Sequence, residues 1–229
     1  VLADEDREAI VSVTQETWAR LAAGEKFLAT FRGKERGHRI ADDVEEGTVD
    51  CLELHFDVVH EVARGKRRAR GMGDAWVKSN GIYNPINVKA GVHGVGGQPN
   101  MVSLAKLTLA LLEHSIDSYY LLLVKFTDEA APRPEVQLVD ILHYLDYLYF
   151  DSGTGQLMLR AERFARHVEA GGSGDELTLE DIVERLVAMR RDGDERLFKT
   201  RARKLAQLED RLEMFDADRP VDQFGLSFG

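Results

Sequence analysis

The sequence predicts a protein of mixed α and β structure, α/β or α+β, folded as one domain over residues 1–229. Three observations carry that expectation. Asn80-Gly81 stands between two strand-like segments, 74–79 and 82–89, and a type I′ turn needs positive φ at both central residues. Residues 119–126, YYLLLVKF, form a short run of the kind found in a strand buried on both faces. Apolar residues recur at helical spacing in 6–31, 37–62 and 194–215.

Composition bounds the rest. A chain of 229 residues is long enough to bury one sizeable core. Its single cysteine, Cys51, excludes an intrachain disulfide and fits a reducing cytosol. No apolar run is long enough to span a bilayer, and no signal-peptide pattern is visible. The expectation is therefore a cytoplasmic protein without a membrane partner. A formal net charge of −10 argues against a surface coated in non-specific nucleic-acid contacts. It leaves room for a basic cleft on an acidic body, because phosphate binding depends on local charge.

In chain order, residues 6–31 read as a helix with Ile10, Val13, Thr17 and Leu21 along one side. After a break at 33–37, residues 37–62 resume with Ile40, Val44, Cys51, Leu54 and Val58 on a shared buried side. Glu45 and Glu46 sit mid-face, where one of them can turn towards the hairpin; a solvated acidic face is the alternative. Residues 64–70, RGKRRAR, are the densest basic run, and Arg67, Arg68 and Arg70 are candidates for phosphate contact or for a solvated loop. The Gly-rich stretch 93–100, HGVGGQPN, allows close backbone approach to a ligand. Gln98 and Asn100 each carry a donor and an acceptor suited to base edges. The competing expectation is a plain turn in which Asn100 caps a helix over 101–117. Strand 119–126 is followed by a loop at 128–135. Segments 136–150 and 155–162 flank DSGTG, a second hairpin turn. Residues 171–176 read as a linker. Thr178 caps a helix over 179–190, and 194–215 form a separate charged helix with Leu197, Leu205, Leu208 and Leu212 as its seam.

The chemistry gathers on the first hairpin. If Asn80-Gly81 is a two-residue loop, Ser79 faces Ile82, and counting outward sets Asp74 opposite Asn87. Side chains alternate along a strand, so Lys89 shares the face of Asn87. Pro85 disturbs such a ladder, because it cannot donate a hydrogen bond. An acid, a second oxygen donor and a lysine thus meet on one face. A hard cation takes oxygen ligands, and a lysine beside it can order an attacking water and offset charge on a phosphorane. Other chemistries lack their signatures. There is no Gly-Lys-Ser/Thr phosphate loop, so no nucleotide cofactor is expected. The seven histidines show no zinc spacing, Ser103 has no nucleophile elbow around it, and no internal repeat is present.

Asp74 with Asn87-Val88-Lys89 resembles the D…(D/E)xK motif of type II restriction endonucleases in the PD-(D/E)xK superfamily, and most closely its HincII/EcoRV-like, blunt-cutting branch. Gly37-His38 with Glu45 resembles the first helix of that family, which supplies a glutamate to the active site. Gln98-Pro99-Asn100-Met101-Val102-Ser103, with Lys106-Leu107, resembles the loop and helix that approach the bases. The resemblance covers residues 37–107. Asn87 departs from it, standing where the family has a second acid, and the glycines between Lys89 and Pro99 leave the alignment of Gln98 open. The resemblance implies a central mixed β-sheet flanked by helices, a restriction-endonuclease-like core. It implies a homodimer on a palindromic double-stranded DNA site, in a prokaryotic cell. Catalysis would use Mg²⁺, with Mn²⁺ as a substitute, and Asp74, Asn87 and Glu45 as its ligands. Lys89 would order or activate the water, and Gln98, Asn100, Ser103 and Lys106 would touch the duplex. Three rivals stay open: a repair or junction nuclease on the same core, a catalytically impaired nuclease fold that only binds DNA, and a helical protein–protein module.

Overall fold

In a computed structural model of the chain, residues 1–31, 36–59, 62–63, 66–67, 72–93, 98–127 and 129–217 are described, side chains excepted at 36–39, 62–63, 66–67 and 213–217. Helices α1 (Asp4–Leu21), α2 (Glu25–Phe31) and α3 (Arg36–His55) come first. Short strands β1 (Val58–Val59), β2 (Val62–Ala63) and β3 (Lys66–Arg67) lead to the hairpin of β4 (Ala75–Ser79) and β5 (Ile82–Val92). Then follow β6 (Asn100–Ser103), α4 (Leu104–Leu112), β7 (Tyr120–Phe126) and β8 (Pro134–Asp140). A 3₁₀ segment (Ile141–Tyr147), β9 (Leu148–Asp151), β10 (Gln156–Leu159), α5 (Ala161–Glu169) and α6 (Leu179–Ala217) complete the order.

The main sheet has the order β1-β4-β5-β7-β8 and is mixed: β5 and β7 run parallel, and the other neighbours are antiparallel. The chain leaves β5, crosses one face through β6 and α4, and returns as β7. A smaller sheet, β6-β10-β9, packs on that same face. The fold is thus mixed α/β with helices on both sides of the sheet. On one face, Ile10 of α1 and Val49 and Leu52 of α3 bury Ala75, Val77, Ile86, Val88, Tyr120 and Leu122. On the other, Leu104, Leu107 and Leu111 of α4 cover Leu121 and Leu123, joined by Leu157, Phe164 and Leu186. Strand β7 is buried along its whole length, Lys125 included, as the apolar run 119–124 predicts.

The hairpin keeps the register read from the turn. Asn80 and Gly81 have φ of 51° and 81°, and Ser79 faces Ile82. Pro85 does not break the ladder; it faces Trp76. Strand β7 joins β5 only from Ile86 onward, so Pro85 lies ahead of the stretch where β5 is bonded on its other edge.

Several expectations are corrected. Residues 6–31 are two helices, α1 and α2, parted at 22–24 around Gly24. The buried stripe of α1 is Ile10, Thr14 and Trp18, one residue out of phase with the expected Val13, Thr17 and Leu21, because Trp18 carries the packing. Leu54 is exposed on α3, and Val58 belongs to β1. Asn100 opens a strand, β6, paired with β10, and the helix starts only after Ser103; local sequence carries no sign of a partner so distant. Finally, 179–217 is one helix. Thr178 caps it as expected, its Oγ1 accepting from the Asp181 N–H at 3.2 Å while Asp181 Oδ2 accepts from the Thr178 N–H at 2.9 Å. Gly193 does not break it. A Cβ there would stand 2.3 Å from Cδ1 of Phe150, so this glycine exists to let the helix lie against β9. Arg68 and Arg70 of the basic stretch, residues 94–97 of the Gly-rich stretch and the tail 218–229 lie outside the described residues.

A second glycine fixes the seat of α3. A Cβ on Gly47 would meet the Trp18 ring at 2.9 Å. That ring cannot withdraw: its Nε1–H donates to Thr48 Oγ1 at 2.8 Å, and its edge meets Phe126 at 87° between planes. Gly47→Val should therefore destabilise the fold by about 1–3 kcal/mol through overpacking, read as a lower urea midpoint at unchanged m-value. An unaltered midpoint would mean that α1 and α3 separate freely.

Candidate functional site

The site is made by a length mismatch between two strands. β4 ends at Ala75, opposite Ile86, while β5 runs on to Val92 beside β7. From Asn87 onward one edge of β5 therefore has no neighbouring strand among the described residues. Asp74, just before β4, covers the first gap. Its N–H donates to the Ile86 carbonyl at 2.9 Å, and its Oδ2 accepts the Val88 N–H at 2.7 Å. Gly73 permits this approach, since a Cβ there would stand 3.0 Å from the Ile86 oxygen.

In a strand the N–H and C=O of one residue point to the same edge, so the Val88 carbonyl also faces the gap. Lys89 folds back to it and donates through Nζ at 2.7 Å. From there the ammonium reaches Glu45 Oε1 of α3 at 3.2 Å and Asp74 Oδ2 at 3.8 Å. Side-chain exposure is 10% for Lys89, 29% for Glu45 and 36% for Asp74. The cation is thus enclosed and the carboxylates face the opening. Glu46 is exposed; of the two candidate glutamates, Glu45 is the one brought to the hairpin.

Asn87 lies opposite Asp74 in the extended register and is 4% exposed. Its Nδ2 donates to the Met101 carbonyl of β6 at 3.0 Å, which fixes the amide, and its Oδ1 is buried without a hydrogen-bond partner. Trp76 Nε1 is buried without a hydrogen-bond partner too, and the buried Tyr119 hydroxyl is acted on by the Asn87 amide, which favours its ionised form. Trp76 packs against the core cluster that contains Tyr119, on the face that carries α4 and β6. Buried polar groups rarely stay unsatisfied, and the Asn87 amide and the Tyr119 hydroxyl act on each other across this end of the sheet. Tyr119 has no sequence signal beyond heading an apolar run.

Burial pushes the Glu45 carboxyl above its ordinary range. Lys89 pulls it down, and Asp74 pushes it further up. Burial likewise drives the Tyr119 hydroxyl well upward, with the Asp74 charge adding to it. A carboxyl raised on folding opposes folding when ionised. For Glu45 that cost is absent below its unfolded pKa and complete once pH has risen past its folded value.

Of the expected DNA-contacting residues, Gln98 is exposed beside β9, where Tyr149 donates to its Oε1. Asn100 and Lys106 are exposed and Ser103 is half-buried. Arg67 lies in β3, with its side chain outside the described residues. Sequence reasoning missed a basic cavity. Gln98, Tyr149, Arg160, Glu162, Arg163 and Arg166 line a space of about 530 Å³. Arg160 is held by the Leu148 and Asp146 carbonyls and stacks on Tyr149. Behind Glu162 stands buried Lys125, at 3.3 Å. Lys125 faces Gly91, two residues along the strand from Lys89, and a Cβ on Gly91 would meet nothing within 4 Å. Buried Lys125 thus links the strand next to Lys89 to Glu162 in the wall of the cavity. The signal was present as Arg160, Arg163 and Arg166 at helical spacing.

A third cluster could hold a metal ion. One ligand atom each from His93, Glu135 and Glu169 lie within 4.8 Å of one another. His93 Nε2 lies 2.8 Å from Glu135 and Nδ1 3.9 Å from Glu169. The imidazole is thus clamped between two acids, tying the end of β5 to β8 and α5. These residues come from three elements far apart in sequence, so their spacing carried no signal.

No protein-family model matches the chain, and no curated protein matches it. The site therefore rests on its own geometry. Removing the ammonium from it should raise the Glu45 carboxyl still further, because burial and Asp74 both push that way. In Lys89→Met, a carboxyl-carbon NMR titration should place the Glu45 midpoint above that of the parent. A midpoint that falls or stays would dissolve the Lys89–Glu45 pair.

Proposed function

We propose that this chain is a sequence-specific type II restriction endonuclease. It hydrolyses phosphodiesters in double-stranded DNA at a palindromic site, with Mg²⁺, and leaves blunt ends. One observation carries the reading: Glu45, Asp74 and Lys89, drawn from separate segments by a resemblance in sequence, converge at the open edge of β5 with Lys89 within 3.8 Å of both acids.

The donor set fits a hard cation. Two carboxylates and the unpartnered Asn87 Oδ1 are oxygen ligands of the kind Mg²⁺ takes, and such an ion usually also keeps waters and phosphate oxygens. When bound, Mg²⁺ supplies Lewis-acid charge stabilisation to the phosphoryl group. The protein's own residues do the rest. Asp74 is fixed by two backbone hydrogen bonds, so it presents its carboxylate without reorganising. Lys89 orders the attacking water and offsets charge on the phosphorane. Water oxygen bonds to phosphorus, the 3′-oxygen departs with the bonding pair and takes up a proton, and a 5′-phosphate remains. Arg160, Arg163 and Arg166 line the path of the DNA backbone leading away from Lys89.

A second reading has an observation in its favour. Asn87 brings no negative charge, so the chain is alternatively an impaired nuclease that binds DNA without cutting it. Incubation with phage or plasmid DNA and Mg²⁺, followed by sequencing of fragment ends, separates the two. Discrete fragments with a common end sequence support the endonuclease. Binding without cleavage in Mg²⁺ or Mn²⁺ supports the second reading, and cleavage confined to branched DNA points to a junction nuclease.

Two substitutions test the roles. Lys89→Ala should abolish cleavage while specific duplex binding persists; near-parental cleavage would remove Lys89 from the chemistry. Asn87→Asp adds a charge at the same position and should lower the Mg²⁺ concentration for half-maximal cleavage. A folded Asn87→Asp protein needing more Mg²⁺ would show that position 87 does not face the ion.

A further inference from the structure

Helix α6 begins as part of the core and ends outside it. Ile182 and Leu186 are buried, and Gly193 is the last buried residue among those described in the helix. Leu197 is still half-buried, and beyond it residues 198–212, all exposed, extend for roughly 22 Å at 1.5 Å per residue. This projecting part is not uniformly polar. Phe198, Leu205, Leu208 and Leu212 are 74%, 56%, 63% and 60% exposed. Phe198, Leu205 and Leu212 are seven apart, and Leu208 falls three beyond Leu205. That is the a and d spacing of a coiled coil. The stripe does not simply continue the face that packs on the domain. At about 100° per residue it is turned by about a third of a revolution from Ile182 and Leu186. It is a second apolar face, with no partner among the described residues.

The flanking charges identify the occupant. With Leu205 and Leu212 at a, Lys204 and Arg211 fall at g and Glu209 at e. In a parallel pair, g of one helix meets the e position five residues on in the other. Lys204 then meets the partner's Glu209, and symmetry makes this contact twice. In an antiparallel pair g meets g, which sets Lys204 against the partner's Arg211, like against like. We propose that the projecting half of α6 forms a parallel two-stranded coiled coil with a second copy of this chain. Arg201 occupies the one charged inner position among Phe198, Arg201, Leu205, Leu208 and Leu212. Its stem lies along the seam and its head turns to the rim, at a cost in affinity. Two heptads form a weak dimer, so association depends on concentration. Helix α1 offers no such face, because its apolar side is spent on its own sheet.

The assignment stands whether or not the chain cuts DNA, and its test needs no DNA. Sedimentation of the full chain over a range of concentrations should show a monomer–dimer equilibrium. Leu205→Lys with Leu212→Lys should give a monomer with unchanged near-ultraviolet dichroism, since both residues are exposed. Arg201→Leu should tighten the dimer. Leu212→Cys should form an interchain disulfide on mild oxidation, because a faces a in the parallel pair, whereas the parent, whose Cys51 is buried, should not. A monomer at every concentration overturns the proposal, as does a dimer untouched by the double lysine variant. A dimer lost in that variant but without the Leu212→Cys disulfide overturns the parallel arrangement. A parent that stays monomeric yet binds the chain's own 218–229 peptide, or another protein, through this stripe would give the face a different occupant.

Discussion

A strand that outlasts its neighbour is the constraint on which the site depends. Burying backbone amide and carbonyl groups without partners is costly. Where β4 stops, Val88 presents both of its groups to an edge that no strand covers among the described residues. Asp74 takes the amide and Lys89 takes the carbonyl. The two side chains that satisfy the Val88 backbone are therefore two that carry charge. Their positions follow from backbone geometry, and Glu45 has only to approach from α3 to close the set.

Both faces of the sheet cooperate in that arrangement. Trp18 and Gly47 set the depth at which α3 lies, and hence the reach of Glu45. On the opposite face, β6 holds the Asn87 amide through the Met101 carbonyl. The small sheet that contains β6 also carries Tyr149 against Gln98 and turns the chain into α5. The basic cavity and the acidic edge are thus positioned by the same crossover between β5 and β7. Strand β5 is buried from Asn84 to Lys89, which makes this edge stiff compared with a loop-borne site.

What could be read from the sequence was what local rules determine. Asn80-Gly81 specified a turn, the turn specified the register, and the register placed Asp74 against Asn87. The unbroken run in β7 announced a strand buried on both faces. Elements misread were those decided by distant partners. Asn100 is extended because β10 pairs with it, and Gly193 continues a helix because Phe150 leaves no room for a Cβ. Arg160, Arg163 and Arg166 carry a helical period that was visible, yet their meaning depends on Gln98 and Tyr149, which only the fold brings near. Glu45 came from a resemblance; its residue type and spacing alone would equally have suited a solvated face.

Asn87 is the point where stability and chemistry pull apart. The edge already gathers two carboxylates around one enclosed ammonium, and burial together with Asp74 has lifted the Glu45 carboxyl. An acid at position 87 would add a third negative group, more deeply buried than either of the others. Ions brought this close in a medium of low polarisability repel strongly. Without a cation, that acid would raise the Glu45 carboxyl further or take up a proton itself. An amide avoids this. It keeps an oxygen at the same place, spends its Nδ2 on β6, and leaves the empty edge nearer to charge balance. The cost falls on cation affinity, which follows ligand charge. On the proposed function, a substrate phosphate would restore part of what is missing, because it brings its own negative oxygens. On that reading, an edge built in this way would hold its cation weakly until the substrate arrived, and Asn87 would then couple ion binding to DNA binding.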